Sequence, residues 1–491
     1  MRILLVYPEF PDTFWSFKYA LRFTTKKSVF PPLGLLTVAA MLPKDWEQRL
    51  VDMNVRRLHD SDLKWADCVF ISAMSVQSAS AEGVIARCRK AGVRVAAGGP
   101  LFTAFPDKYD AVDYLVLGEA EVTLPPFLQD LKQGNARHVY QCDHKPDLSA
   151  TPVPLWSLVR MKDYSSMNIQ YSRGCPFNCE FCDVVVLFGR TPRLKTARQV
   201  TAELDALYDN GWRGSVFFVD DNFIGNKEAL KTSVLPAVIS WQQAHGHPFN
   251  LDTEASINIA DDEELMNLMV AAGFDTVFVG IETPNEESLS ECGKKQNTGR
   301  DLLACIETIQ AHGMEVQGGF ILGFDSDPDT IFDTLIRFIQ QSRIVVAMVG
   351  LLNAPRGTRL YQRMEKEQRL LNNFSGDNTD YSMNFTPKMP SDKLVSGYKK
   401  VVGSIYGPES YYRRVMRYLD AERAQPKKPV KIHPADIASF MKSVFRLGIA
   451  GEERRWFWRL VLHTLRHNPA QLHKAVTYAI YGHHFRRVYR V

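Results

Sequence analysis

The chain has 491 residues, with 59 Lys or Arg against 55 Asp or Glu, 45% hydrophobic and 23% charged residues. That length accommodates about two to four domains, and the composition excludes a wholly disordered or fibrous protein. The net charge of +4 hides an asymmetry: from Ala421 onward fourteen Lys or Arg face four Asp or Glu, so the rest of the chain is acidic.

Met1–Pro8 holds one Arg and a short apolar run that leads straight into Glu9. It reads as a first strand, Ile3–Val6, and not as a signal peptide. Gln48–Asn54, Cys68–Met74, Val93–Gly98 and Tyr114–Gly118 follow as strands, with a helix at Ala79–Ala91 stopped by Gly92. Glycines cluster at strand ends: Gly98-Gly99-Pro100 and Gly118-Glu119. Ligands of doubly wound sheets bind outside the carboxyl ends of strands, so these glycines either let a large ligand approach the backbone or merely form tight turns. Asp143–Trp156, with Pro146, Pro152 and Pro154, reads as a linker.

A second α/β block follows, with strands at Ile169–Ser172, Val216–Val219, Leu251–Ala255, Thr276–Gly280, Val316–Leu322 and Val346–Leu352. Thr196 and Asp261 are placed to cap helices that Gly211 and Gly273 stop. Six β/α repeats fit an open, partial barrel better than a closed eight-unit one. No uncharged apolar run approaches the ~18–20 residues of a membrane span; Val345–Pro355 is too short.

The strongest chemical signal is Cys175-Pro-Phe-Asn-Cys179-Glu-Phe-Cys182, a CxxxCxxC run just after a strand. Three thiols so close can converge on a soft metal centre, zinc or iron–sulfur. A structural zinc site needs a fourth ligand, and none stands near. Cys68, Cys88, Cys142, Cys292 and Cys305 show no ligand spacing and read as small hydrophobes. Eight Cys in so long a chain fit reduced thiols in the cytosol. Carboxylates at the ends of successive strands, Asp220, Asp221, Glu254 and Glu282, are suited to a cationic ligand.

The cysteine run, with Phe181 before its last Cys, resembles the signature of radical S-adenosylmethionine (SAM) enzymes. The resemblance implies a [4Fe–4S] cluster held by Cys175, Cys179 and Cys182, with SAM on the remaining iron and cleaved there to a 5′-deoxyadenosyl radical. Gly280-Ile-Glu282 and Gly319–Gly323 are similar to that family's later motifs beside the SAM ribose and adenine. Val219-Asp220-Asp221-Asn222 stands where the family commonly has Gly-Gly-Glu, which makes Asp220 or Asp221 the implied partner of the SAM amino group. The Rossmann-like domain ahead of the barrel resembles the cobalamin-binding class. By that resemblance Pro31, Leu33, Ser72, Gly98, Gly99, Pro100, Gly118 and Glu119 would surround the corrin. The loop Met74-Ser75-Val76-Gln77 would lie beneath it, with no His ligand to cobalt. The run Phe217–Asn226, Gly357–Tyr361 and the C-terminal region look like the hopanoid C-2 methylase family.

These observations imply an α/β enzyme with three parts: a Rossmann-like cobalamin domain (1–145), a partial (β/α)6 radical SAM barrel (146–365) and a C-terminal helical, basic region (366–491). The implied activity is methylation of an unactivated carbon, with an isoprenoid lipid such as a hopanoid as one substrate and flavodoxin or ferredoxin as electron donor. Radical rearrangement or oxidation without methyl transfer, and a non-enzymatic cobalamin or redox sensor, remain open alternatives. Beyond a Pro/Lys linker (Pro426–Pro429), helices are predicted at Ala435–Leu447, Arg454–Arg466 and Gln471–Tyr481. Their apolar positions (Phe440, Val444, Leu447, Trp456, Leu460, Val476, Ile480) interleave with Lys442, Arg446, Arg455, Arg459 and Arg466. Trp456 and Trp458 among these cations fit an anionic membrane surface. A cap packed on the barrel and an RNA-binding face are the other readings, nucleic acid being the least expected.

Overall fold

Two parallel six-stranded sheets carry the α/β part of the chain, in a computed structural model that describes residues 1–371, 374–377, 379–422 and 434–490. The Pro426–Pro429 linker lies outside the described residues. The first sheet contains β1 (Arg2–Tyr7), β2 (Glu47–Asp52), β3 (Cys68–Ser72), β4 (Arg94–Gly98), β5 (Tyr114–Val116) and β6 (Val139–Tyr140). Its order is β2-β1-β3-β4-β5-β6. Ile3–Val6 are fully buried, as expected of a central parallel strand covered on both faces. The order reverses direction at β1/β3, the flavodoxin-like switch point where a ligand crevice opens beyond the carboxyl ends. β6 was not expected. It is only two residues long and is held by Leu115 N–H to His138 O (2.7 Å) and Leu117 N–H to Tyr140 O (2.8 Å).

The second sheet begins with β7 (Met167–Ile169), which is followed by a small antiparallel pair, β8 (Ser172–Arg173) and β9 (Arg193–Leu194). The expected strand Ile169–Ser172 is thus broken, because Asp220 draws the Tyr171 and Ser172 amides to its own carboxylate. β10 (Gly214–Phe218), β11 (Phe249–Glu254), β12 (Phe274–Glu282), β13 (Glu315–Leu322) and β14 (Ala347–Leu351) complete it in the order β14-β13-β12-β11-β10-β7, an open partial barrel. Phe249, Leu251 and Thr253 turn under the outer helices, while Asp252 and Glu254 occupy the open face. Thr196 caps the Ala197–Asp209 helix as read, but the cap of Glu263–Ala272 is Asp262, not Asp261. Asp261 is drawn off by Arg300, at 2.6 and 2.7 Å.

The C-terminal helices finish the barrel. β14 is an edge strand, and tyrosine hydroxyls occupy its carbonyls: Tyr406 donates to Ala347 O (2.7 Å), Tyr398 to Val349 O (3.0 Å) and Tyr489 to Val349 O (3.3 Å). An edge so covered cannot recruit another strand. The Leu472–Tyr489 helix also receives the N-terminal segment: Phe14 stacks on Phe485 at 4.3 Å, and His484 Nε2 lies 2.9 Å from Phe14 O. Trp15 then packs edge-on against Phe278 of β12 at 5.3 Å, and Phe30 lies 5.3 Å from Phe217 of β10.

Gly397, in helix Ser391–Tyr406, sits under Phe332 of helix Ile331–Ser342, and a Cβ there would stand 2.3 Å from the ring. Alanine ordinarily gains ~1 kcal/mol over glycine within a helix. Here overpacking of about 1–3 kcal/mol dominates. Gly397→Ala is therefore expected to lower the thermal midpoint, as read by circular dichroism.

Candidate functional site

β8 leads into Gly174, whose φ of +93° and close neighbours require glycine: a Cβ would stand 2.9 Å from Gly189 O. Cys175, Cys179 and Cys182 follow on one partly exposed loop. Burial pushes the Cys175 and Cys182 thiols up, and Lys294 pulls both back. Gln296 Nε2 lies 3.8 Å from Cys179 Sγ, while its Oε1 is buried with no hydrogen-bond partner. Among the described residues no three His, Cys, Asp or Glu are gathered as a single metal ion needs. A structural zinc is a poor fit to that spread. A four-iron cluster suits it, because each thiolate takes its own iron.

Helix Arg359–Lys366 clamps this loop in a way the sequence did not announce. Arg359 donates to Asn178 O (2.6 Å), and Arg363 binds Glu180 (2.9 Å), Glu291 (3.2 Å) and Asp325 (2.7 Å). Glu180 lies between two of the cysteines, so its ion pair fixes the loop from within. Phe181 turns inward, 6.2 Å from the Phe324 ring.

The strand-end acids divide into two kinds. Asp220 is buried and fully engaged: it accepts from Tyr171 N–H (3.1 Å), Ser172 N–H and Ser172 Oγ (2.5 Å). It is a brace for β8, so of the two adjacent acids that the sequence offered Asp221 is the less engaged. Asp221 accepts one bond, from Gly174 N–H at 3.2 Å, and burial raises its pKa to about 6. Among the described residues no hydrogen bond or ion pair reaches the Glu254 carboxylate. Burial, together with Asp221 and Asp220, raises its pKa to about 8. Glu282 is also committed, since Lys294 Nζ donates to its Oε1 at 2.5 Å. It adopts φ +65° at a bulge in β12, and Asn297 holds the Gly280 and Ile281 carbonyls beside it (3.1 and 3.0 Å). Gly280 makes room for that ion pair and Gly319 for the Phe278 ring, since a Cβ would meet Glu282 at 2.5 Å and Phe278 at 2.8 Å. Both glycines are thus required by neighbours within the chain itself. An unpaired, half-buried carboxylate held near neutrality fits the ammonium of SAM.

At the first sheet's crevice the expected residues also separate. Gly98 is required by the approach of β5, with Val116 O 2.7 Å from a Cβ, and Gly99 (φ +88°) by Ser72 Oγ at 2.5 Å. Gly99 also precedes Pro100 at the first turn of Pro100–Ala104. At Gly118 (φ +78°) a Cβ would make only an ordinary contact, 3.9 Å from Cys142 O. Gln77 is buried and spent on the backbone, donating to Pro8 O (2.5 Å) and accepting from Met74 N–H (2.9 Å). Gly376 crosses over Ser75 and Val76, so Met74, 48% exposed, is the side chain of that loop left facing outward. Leu33 is partly exposed at the start of Leu33–Met41, and Pro31 O accepts from Asn168 Nδ2 (3.2 Å) across to β7. An apolar, exposed Met74 fits the flat apolar face that a corrin would present.

Glu119 departs most from expectation. It accepts from Arg173 (2.9 Å) and Arg193 (2.8 and 2.9 Å), while Glu121 holds Arg173 at 2.8 and 2.9 Å. Its place at a strand end resembles a ligand position, but two arginines of the cysteine-bearing hairpin lie within reach and claim it.

Residues 169–339 match the family described as the radical SAM superfamily, residues 21–128 match the B12 binding domain, and residues 358–491 match a domain of unknown function. An uncharacterised methyltransferase of Synechocystis is 41% identical, covering 99% of this chain and 91% of its own. The hopanoid C-2 methylase of Rhodopseudomonas palustris is 36% identical over 94% of this chain and 89% of its own. The chain belongs to the cobalamin-binding radical SAM methyltransferases. Its cofactors are accordingly a [4Fe–4S] cluster, SAM and cobalamin. Two solved structures share the fold. The cobalamin-dependent SAM radical enzyme OxsB has a TM-score of 0.59 and 14% identity, covering 100% of this chain and 84% of that one. The methyltransferase TsrM from Kitasatospora setae scores 0.57 at 17% identity, covering 74% and 76%.

Two outcomes follow for this family member. Asp221 and Glu254 are raised in the folded state above ordinary carboxylates, so the stability they contribute is present below pH ~4.5 and is lost as pH rises towards 8. The thermal midpoint of the ligand-free protein should fall between pH 5 and 8, and Glu254→Gln should flatten that fall. Glu119→Ala takes the carboxylate from the largely buried Arg193, while Arg173 keeps Glu121, and should cost about 3 kcal/mol in urea denaturation.

Proposed function

We propose that this enzyme adds a methyl group to an unactivated carbon of an isoprenoid lipid of the hopanoid type. The observation that carries the reading is the near-full-length likeness to a hopanoid C-2 methylase, which extends into the C-terminal region. We further propose the division into 1–145, 146–365 and 366–491, and a low-potential protein such as flavodoxin or ferredoxin as electron donor.

In this reading Cys175, Cys179 and Cys182 hold the cluster; Asp221 and Glu254 receive the SAM cation, beside Phe181, Gly280 and Gly319. Met74, Ser72, Gly118, Pro31 and Leu33 face the corrin. When bound, these groups supply a hydrogen-abstracting radical and a methyl donor. The chain's own contribution is placement and charge. Lys294 keeps a cation beside the thiols, held by Glu282. Glu254 gives up its proton when an ammonium arrives, because the partner replaces the solvation that burial removed. Phe217 and Phe278 project onto the open face of the barrel, backed by Phe30 and Trp15, and leave apolar walls that exclude water and suit an apolar substrate.

The test is anaerobic purification and turnover with SAM, a reductant and a hopene-type lipid. About four iron and one cobalamin per chain are expected, along with 5′-deoxyadenosine and a lipid product heavier by one CH2. Replacing the three cysteines with Ala should remove the iron; iron retained in that variant refutes the cluster assignment. Deoxyadenosine with no methylated product would mean radical chemistry without methyl transfer. Neither product would leave a binding module.

A further inference from the structure

The helices Pro434–Ser443 and Arg454–His467, joined through a π-helical turn at Val444–Ile449, have two apolar faces. The inner one is used: Leu447, Phe457, Leu460 and Val461 are buried against the body. Leu447 and Leu460 are two of the apolar positions legible in the sequence; Phe440, Val444 and Trp456 are partly buried beside them, with Arg459 5.1 Å and Arg413 5.8 Å from the Trp456 ring. The second face is a ladder of Ile437, Met441, Phe445 and Ile449, spaced four apart, beside Leu462 and Leu465. Phe445 is 64% exposed and Leu462 62%. Of fourteen large apolar side chains exposed among the described residues, seven fall between Ile437 and Leu465, the seventh being Trp458. The two helices are locked together at this face. Trp458 Nε1 donates to Gly448 O at 2.9 Å, and a Cβ on Gly448 would stand 3.0 Å from the Phe457 ring. The ladder and the second helix therefore present one surface, not two loose arms.

Scattered apolar residues need no partner, but a contiguous face does. Its charge chooses which. Lys442, Arg446, Arg454, Arg455, Arg459 and Arg466 belong to the same segment, while of its three acids, Asp436, Glu452 and Glu453, the last is buried against Arg486 (2.8 Å). A second copy docked through the same patch would bring cation against cation. An apolar strip within a cationic field matches a bilayer with anionic headgroups, where rings and aliphatic chains enter the acyl boundary and guanidinium groups stay at the phosphates.

We propose that the 437–466 surface is a monotopic docking face for an anionic membrane. It deepens the lipid reading above, resting on it only for why the enzyme would need to reach a bilayer.

The experiment is flotation of the full chain with phosphatidylglycerol-containing and pure phosphatidylcholine vesicles at low and high salt. It is run beside Phe445→Glu/Leu462→Glu and Arg455→Ala/Arg466→Ala, with circular dichroism to confirm folding and sedimentation velocity without lipid. The parent chain should float with anionic vesicles at low salt and much less at high salt. The Glu pair should lose binding at least tenfold, and the Ala pair should lose it selectively on anionic vesicles. A parent chain that stays at the bottom with anionic vesicles, or Glu variants that float equally, overturns the proposal. So does a parent dimer that the Glu pair converts to monomer, since the face is then a self-interface. Methylation of detergent-dispersed lipid is assayed in parallel: activity without vesicle binding sinks the docking face alone, and vesicle binding without lipid methylation sinks the substrate reading alone.

Discussion

The buried cluster of Glu119, Glu121, Arg173 and Arg193 is the joint on which the site is built. The acids open a helix at the edge of the first sheet; the arginines belong to the hairpin that flanks Gly174 and Cys175. The Arg173 bonds hold Glu121 below an ordinary carboxylate even though burial acts the other way. The positive end of the Ala120–Gln133 helix favours the same charges. Two cofactor-binding units that had to face one cavity could be tethered by a flexible linker. Here they are instead registered by directional, charge-assisted bonds that tolerate little sliding.

Beyond that joint, charge is arranged in opposite ways at neighbouring points. Around the cysteine loop four acids are neutralised: Glu180, Glu291 and Asp325 share Arg363, Asp325 also takes Arg369 (2.7 Å), and Glu282 takes Lys294. Nearby, no ion pair among the described residues reaches Glu254 or Asp221; burial raises both, and Asp221 raises Glu254 further. Braced surroundings with unmet negative charge are what a cation-selective pocket requires, since the ligand supplies what the protein withholds.

Strands, repeats and the cysteine run were legible because each depends on local pattern: apolar runs for buried parallel strands, and spacing for the thiols. What the sequence concealed depends on where a side chain turns once remote segments meet. Asp220 and Asp221 are adjacent and chemically identical, and only the fold decides that the first braces the backbone. Glu119 stood at a strand end like a ligand, but arginines 54 and 74 residues away determine its direction. Lys294, Asn297 and Arg363 belong to no motif and enter the site through loops and a helix far along the chain. The tail's inner apolar face followed helical spacing, whereas the outer ladder shares that spacing and could not be told apart before burial was known.

The stacking of Phe14 on Phe485 joins nearly the first residues of the chain to nearly the last. During synthesis the N-terminal sheet emerges and can fold while the helix that receives Phe14, Trp15 and Phe17 is still unmade. Tyr398 and Tyr406 can cover the β14 edge earlier, but the rings of Phe14 and Phe17 have no stacking partner until Tyr481–Phe485 has been made. A nascent chain therefore carries this apolar cluster uncovered through most of its synthesis, which makes the docking of the Leu472–Tyr489 helix a late and long-range step of folding.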